Sequence, residues 1–141
     1  MTGARMLTSI HDLVEELRGV EEIVRSSGIP SGLKYVVLFS LAERVGALVI
    51  EGSDERKLKR MLCRMRSSTR VNRALAILRR EGLLSEDEYR GLRRCLRAIR
   101  CLRNRFLHPV CFEKCPEVEL GHALECVKRF LEVSAKFLGK D

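Results

Sequence analysis

The sequence predicts an all-α fold, a compact bundle of five or six helices that forms a single domain over residues 1–141. Three observations predict it. Apolar residues recur at steps of three and four along most of the chain, which is the period of an amphipathic helix. Serine, glycine and proline separate these segments where helices start and stop. The chain is also 45% apolar, which is enough for one hydrophobic core at this length.

The first two predicted helices differ in how widely they are apolar. The first ends near Gly28, before Pro30, and its apolar stripe comprises Leu7, Ile10, Leu13, Val14, Leu17, Val20 and Val24. Segment 33–50 is apolar almost all round, so it is either a central buried helix or, because residues 35–39 are rich in strand formers, a buried strand. Its length favours the helix.

Two shorter helices are predicted next. A turn at residues 52–54 leads into a short basic helix, and a break at residues 67–69 separates it from the following one. That following helix is closed by Gly82, where a left-handed cap is favoured, and its stripe comprises Val71, Ala74, Leu75 and Leu78.

The best specified boundary opens a long helix at about residues 86–107. Residues 85–88 form a capping box, with Leu84 and Tyr89 placed for a hydrophobic staple. His108-Pro109 disfavours further helix. About 22 residues at ~1.5 Å each give a rod of roughly 33 Å. After a linker, Pro116 is well placed in the first turn of a last helix, whose stripe comprises Leu120, Leu124, Val127, Leu131 and Leu138.

Charge and hydropathy restrict the class of protein. The net charge is +8, carried by 20 Arg and 7 Lys, and this excess favours polyanionic partners through phosphate contacts. No unbroken apolar run reaches membrane-spanning length, so we expect a soluble cytoplasmic protein without a membrane partner. The scarcity of heat-labile amides, with two Asn and no Gln, points to a thermophilic source.

Arg103 breaks the pattern of the long helix. At ~100° per residue one broad arc carries the apolar residues Tyr89, Leu92, Leu96, Ile99, Phe106 and Leu107. The opposite side carries Arg90, Arg93, Arg94, Arg97, Arg100 and Asn104. Arg103 lies in the middle of the apolar arc, where a guanidinium that cannot deprotonate must be paired or must line a polar cleft. This position requires an anion.

The end of this helix resembles a known family. Arg103-Asn104-Arg105-Phe106-Leu107-His108, together with the preceding Gly82-Leu83-Leu84-Ser85 turn, is similar to HEPN domains and the related mannitol-operon repressor proteins. Those families pair a Gly-Leu-Ile/Leu-Ser turn with an Arg-Asn-x-x-x-His helix end. The similarity covers about residues 74–109, whereas residues 1–60 agree only in being helical.

The resemblance implies a metal-independent endoribonuclease without a cofactor, formed when two protomers bring their Arg and His side chains together across a two-fold groove. In this sequence His108 would act as general base or acid, Arg103 would stabilise the charged phosphate, and Asn104 would position its partners. Cleavage would leave a 2′,3′-cyclic phosphate. The implied partners are a second copy of the chain and RNA, in a toxin-antitoxin or defence setting.

One departure concerns the antitoxin. Many HEPN toxins that pair with nucleotidyltransferase antitoxins carry a Tyr two residues after the His, whereas this chain has Val110. Modification of a tyrosine at that position is therefore not expected, and an antitoxin of another kind remains an open partner.

A non-catalytic function is the alternative to the enzymatic one. Arg103 can be a core residue paired with Glu15, Glu16 or Glu43, and His108 a helix-ending residue, in which case the domain is a regulatory module that binds nucleic acid or protein. The arginines of the long helix are either its solvated face or an RNA contact surface, for which Arg97, Arg100 and Arg105 are the candidates.

The third class considered is a zinc site. His108, Cys111, Cys115 and His122 supply four possible ligands within a short span, although their spacing is not that of a standard finger. Cys111 and Cys115 are more simply a thiol pair or a small-loop disulfide. The other cysteines, Cys63, Cys95, Cys101 and Cys126, are expected to be buried or half-buried small hydrophobic residues.

Overall fold

The computed structural model describes residues 9–108 and 114–139, and this part of the chain is built of helices and turns without a strand. The helices are α1 (Ile10–Arg25), α2 (Ser31–Glu51), α3 (Arg56–Met61), α4 (Ser67–Arg80), α5 (Glu86–Leu107) and α6 (Leu120–Gly139). A 3₁₀ turn at Leu62–Arg64 follows α3. The predicted all-α bundle of five to six helices is confirmed.

α2 is the centre of the bundle. It contacts α1, α4, α5 and α6, and its buried apolar residues are Leu38, Phe39, Leu41, Ala42, Val45, Val49 and Ile50. Segment 33–50 is therefore helical, and the strand alternative is wrong because packing against four surrounding helices buries its apolar side chains. Apolar as α2 is, no helix within residues 9–108 and 114–139 is long and apolar enough to cross a membrane.

The predicted bounds of the long helix are confirmed. The Ser85 hydroxyl accepts a hydrogen bond from the Glu88 backbone N–H at 3.1 Å, which caps α5 at its first residue. Before the cap, Gly82 has a φ of 79°, the left-handed conformation that glycine adopts without a steric penalty. Leu84 and Tyr89 are both buried in the core on either side of the cap. These local signals fix where the site-bearing helix begins.

Two predicted boundaries are wrong. The break expected at residues 67–69 lies earlier, because Met65 and Arg66 are extended and α4 already begins at Ser67. The last helix begins at Leu120, so Pro116 precedes it by four residues and does not occupy its first turn. In the first turn of α6, the Ala123 backbone N–H donates a hydrogen bond to the Glu119 carbonyl at 2.8 Å.

Long-range contacts explain the late start of α6. A disulfide joins Cys115 to Cys101 on α5, so the predicted pairing of Cys115 with Cys111 is wrong; Cys111 itself lies outside the described residues. Three residues further on, the Val118 carbonyl accepts a hydrogen bond from the Tyr35 hydroxyl of α2 at 2.6 Å. Because these contacts fix the segment before Leu120 to two other helices, helical geometry begins only beyond it.

The last turn of α5 also departs from its predicted pattern. The helical pattern predicts Phe106 and Leu107 on the apolar arc, yet they are 43% and 49% exposed. Phe106 lies against the backbone of Gly32, where an added Cβ would meet the Phe106 ring at 2.1 and 2.5 Å and its Cβ at 2.8 Å. The end of α5 therefore reaches the edge of the bundle at the first turn of α2, where no further helix covers its apolar side chains in the described part of the chain.

Candidate functional site

Arg103 points from α5 towards α2. Its guanidinium carbon lies 4.8 Å from the centroid of the Phe39 ring, and its side chain is only 18% exposed. The anion that its position requires is Glu43, whose carboxylate lies 3.8 Å from Arg103 Nη1. Of the three acidic partners considered from the sequence, Glu43 is therefore the one in place, while Glu16 binds Arg44 through two hydrogen bonds.

Glu43 is shared between two guanidinium groups. Its other carboxylate oxygen lies 3.8 Å from Nη1 of Arg70 on α4. Burial lowers the pKa of Arg103 below its ordinary value; the Glu43 charge opposes this, and the Arg100 charge adds to it. One carboxylate thus faces two cations, and the neighbourhood of Arg103 keeps a positive excess that suits a phosphate.

Asn104 holds the guanidinium in a fixed orientation. Its Oδ1 accepts hydrogen bonds from Arg103 Nε at 3.0 Å and from Nη2 at 2.7 Å. A guanidinium has five N–H groups, and the Glu43 oxygen at 3.8 Å lies beyond hydrogen-bonding distance. Among the described residues, Asn104 and Glu43 therefore leave Arg103 with N–H groups able to bind a phosphate oxygen.

His108 ends α5 at the exposed edge of the bundle. It is the residue after the last helical position, and its backbone N–H donates to the Asn104 carbonyl at 2.8 Å. Five residues separate it from Arg103, which corresponds to about 7.5 Å along the axis and roughly 140° around it. The structure joins Arg103 to Asn104 by hydrogen bonds, whereas helical geometry places His108 on a different side of the α5 axis.

A line of arginines leads along α5 to this end. One surface cleft is lined by Glu86, Tyr89 and five arginines, Arg79, Arg90, Arg93, Arg94 and Arg97. Arg97 also lines a second cleft, together with Phe39, Ser68, Val71, Asn72, Leu96 and Arg100. We call the arginines of the two clefts the basic track. Its α5 members run from Arg90 to Arg100, about 15 Å along the helix, and end three residues before Arg103.

The two clefts are also lined by residues that the sequence does not single out. Arg79 comes from α4 and lies 3.9 Å from the centroid of the Tyr89 ring, while Ser68 and Asn72 add polar groups from the same helix. In the sequence, these residues are marked only by their helical spacing on α4. That α4 packs against α5 is a property of the tertiary structure. Arg97 and Arg100, both predicted from the sequence, lie on the track.

Arg105 does not share this surface. It lies five residues after Arg100, which places it roughly 140° away around the helix axis. Burial raises the pKa of Tyr35 on α2, and the charge of Arg105 opposes that rise. Arg105 therefore lies on the Tyr35 side of α5, and it lines neither of the two clefts that form the basic track.

The three described residues of the zinc alternative do not form a common metal site. Cys115 is joined to Cys101 and has no thiolate to offer, and Cys111 lies outside the described residues. His122 lies beside Cys95, and Cys95 precedes His108 by 13 residues, or about 20 Å along α5. His108 and His122 therefore cannot bind the same ion.

Comparison with known proteins gives no assignment: no protein-family model, no curated protein and no solved structure matches this chain. The HEPN resemblance therefore rests on the residues that carry it and stays a prediction.

Proposed function

We propose that this chain is a metal-independent endoribonuclease of HEPN type. The observation that carries the proposal is the arrangement at the end of α5, where Asn104 orients the half-buried Arg103 and an exposed His108 follows at the helix terminus. The basic track that leads to this end supports RNA as the substrate, since phosphate contacts supply most of the affinity for nucleic acid.

The reaction follows from the roles of these side chains. The ribose 2′-oxygen attacks the adjacent phosphorus, the bond to the 5′-oxygen of the next nucleotide breaks, and a 2′,3′-cyclic phosphate forms. His108 takes the proton of the 2′-hydroxyl or gives one to the leaving 5′-oxygen. Arg103 donates its remaining N–H groups to the phosphoryl oxygens, which gain charge in the transition state. No cofactor is needed for either proton transfer.

A homodimer completes this site. Helical geometry places Arg103 and His108 of one chain about 140° apart around α5, so a second protomer that supplies the complementary group would bring an Arg103 and a His108 to one phosphate. Three exposed apolar side chains surround this end of the bundle, Phe106, Leu107 and Leu33, the last next to Gly32 on which Phe106 packs. They are suited to the apolar centre of a two-fold interface.

A second candidate function is a non-catalytic module that binds nucleic acid or protein. The Arg103 contacts favour it, because a guanidinium stacked on Phe39 and facing Glu43 is also how a purely structural arginine is held. The basic track would then bind its partner without cleavage. An antitoxin or regulator would be recognised on the same surface.

The experiment that tests the proposal is RNA cleavage by the wild-type protein in excess chelator, with the product ends identified by mass spectrometry. We expect cleavage to 2′,3′-cyclic phosphate ends and, by light scattering at micromolar concentration, a dimer. A strictly monomeric protein that binds RNA but never cuts it would favour the non-catalytic module.

Substitution of Arg97 and Arg100 by alanine is expected to weaken RNA binding uniformly across sequences. If each arginine neutralises one phosphate, the slope of log affinity against log salt should fall by about 0.7 for each substitution on single-stranded RNA. Binding isotherms at several salt concentrations measure this slope. The matched control is Arg25→Ala, since Arg25 is exposed on α1 and outside the basic track; an equal change in that variant would mean that only overall charge matters.

A further inference from the structure

Two buried cysteines and one exposed histidine meet between α5 and α6. The sulfur atoms of Cys95 and Cys126 and a ring nitrogen of His122 all lie within 4.8 Å of one another. Cys95 comes from α5, whereas His122 and Cys126 lie on the same face of α6, four residues apart. Both cysteines are free thiols, and they are the buried members of the three free cysteines found in the described part of the chain.

The spacing of these atoms suits a tetrahedral ion. Cys126 Sγ and His122 Nε2 lie 3.7 Å apart. Metal–sulfur bonds of ~2.3 Å and metal–nitrogen bonds of ~2.0 to 2.1 Å give a sulfur–nitrogen edge of about 3.6 Å in a tetrahedron. The His122–Cys126 pair thus has nearly the separation that a bound ion would impose, and Cys95 Sγ lies within 4.8 Å of both atoms.

The chemistry of these ligand atoms determines which metal ion fits the site. Thiolate and imidazole ligands prefer Zn²⁺ over the hard cations Mg²⁺ and Ca²⁺, which take oxygen ligands. Cysteine binds Zn²⁺ as the thiolate, so binding would release the protons of both thiols.

The site is accessible from one side. Two surface clefts flank the cluster and have Gly91 and His122 in common; Cys95 lines one cleft and Cys126 the other. Gly91 has no side chain to close them, and even an added Cβ there would meet nothing within 4 Å. An ion can therefore enter past the exposed His122.

We propose that Cys95, His122 and Cys126 form a Zn²⁺ site that links α5 to α6 and leaves the fourth position to water. The zinc site predicted from sequence spacing has four candidate ligands, and His122 is the one residue that both sites share. The site is separate from the proposed ribonuclease centre, because Cys95 lies eight residues before Arg103, about 12 Å along α5. Its direct effect would be to join α5 to α6.

The test is a titration of the full chain, purified without oxygen, with Co²⁺ as a spectroscopic probe and Zn²⁺ as the competitor. We expect one Co²⁺ per chain, with the visible bands of a tetrahedral ion and a thiolate-to-cobalt band in the near ultraviolet, both removed by one equivalent of Zn²⁺. Zn²⁺ should also raise the melting temperature relative to chelator, since it binds the folded state.

Three variants locate the ion. Cys126→Ser should weaken Zn²⁺ binding at least 100-fold and His122→Ala at least 10-fold, and the second variant tests the site without disturbing the core because His122 is exposed. Cys63→Ser, at an exposed free cysteine, should leave the titration unchanged. The proposal is overturned by a wild-type protein without thiolate-to-cobalt absorption, by binding that survives both His122→Ala and Cys126→Ser, or by peptide mapping that finds Cys95 and Cys126 joined in a disulfide.

Discussion

Replacement of His108 by alanine is expected to slow RNA cleavage by roughly 10²- to 10⁴-fold, the usual loss when a general acid or base is removed. The fold should survive, because His108 is exposed and follows the last residue of α5. Initial rates on a defined single-stranded RNA in chelator measure the effect, and a melting curve followed by circular dichroism checks the fold. RNA affinity should change little, since the basic track is intact.

The matched control is His11→Ala, since His11 is an exposed histidine on α1. It should cleave RNA at the wild-type rate. Equal rates for His108→Ala and wild type would remove His108 from the mechanism and overturn the HEPN-type proposal.

Replacement of Arg103 by alanine is expected to abolish detectable cleavage while lowering the free energy of unfolding by only about 1 to 2 kcal/mol. We expect the stability cost to be small because Glu43 keeps a second cationic partner when Arg103 is removed. Removal of one partner of a buried ion pair costs about 3 to 5 kcal/mol when the other charge is left alone, but Glu43 keeps Arg70 at 3.8 Å. What remains is the loss of packing on Phe39, a cation–π contact of the order of 1 kcal/mol.

The measurements are a cleavage assay and a denaturant unfolding curve on Arg103→Ala, Arg103→Lys and the control Arg44→Ala. Lysine keeps the charge but lacks the planar fork that Asn104 orients, so Arg103→Lys should bind RNA and cut it poorly. Arg44→Ala removes a half-exposed arginine paired with Glu16 and should leave cleavage unchanged. A loss of 3 to 5 kcal/mol in Arg103→Ala, together with a wild type that does not cut RNA, would show that Arg103 is a structural residue.

The two variants together test the composite site. A mixture of Arg103→Ala and His108→Ala chains should regain part of the activity, because a mixed dimer carries one intact Arg103 and one intact His108 from different protomers. Each variant alone lacks one of the two groups in both protomers. If a mixture that is shown to exchange subunits recovers no cleavage activity, either the two groups act in separate steps or the two-fold groove has no part in the mechanism.

Local signals in the sequence determined the long helix and the position of its unusual arginine. The Ser85 cap, the left-handed Gly82 and the His108-Pro109 end depend on neighbours within a few residues, so their effect can be read without the fold. Helical periodicity likewise placed Arg103 among apolar positions and required an anion for it. These are properties of one helix and its ends.

Other features were decided only when the helices packed. The choice of Glu43 among three carboxylates, the joining of Arg79 to the arginines of α5, and the cluster of Cys95 with His122 and Cys126 all need residues from different helices. The late start of α6 has the same origin, since the Cys101–Cys115 disulfide and the Tyr35 hydrogen bond override the local preference of Pro116 for a first turn. The sequence alone determined where each helix carries its charged and apolar groups, and tertiary packing decided which of them meet, because contacts between distant residues depend on helix orientation and not on local spacing.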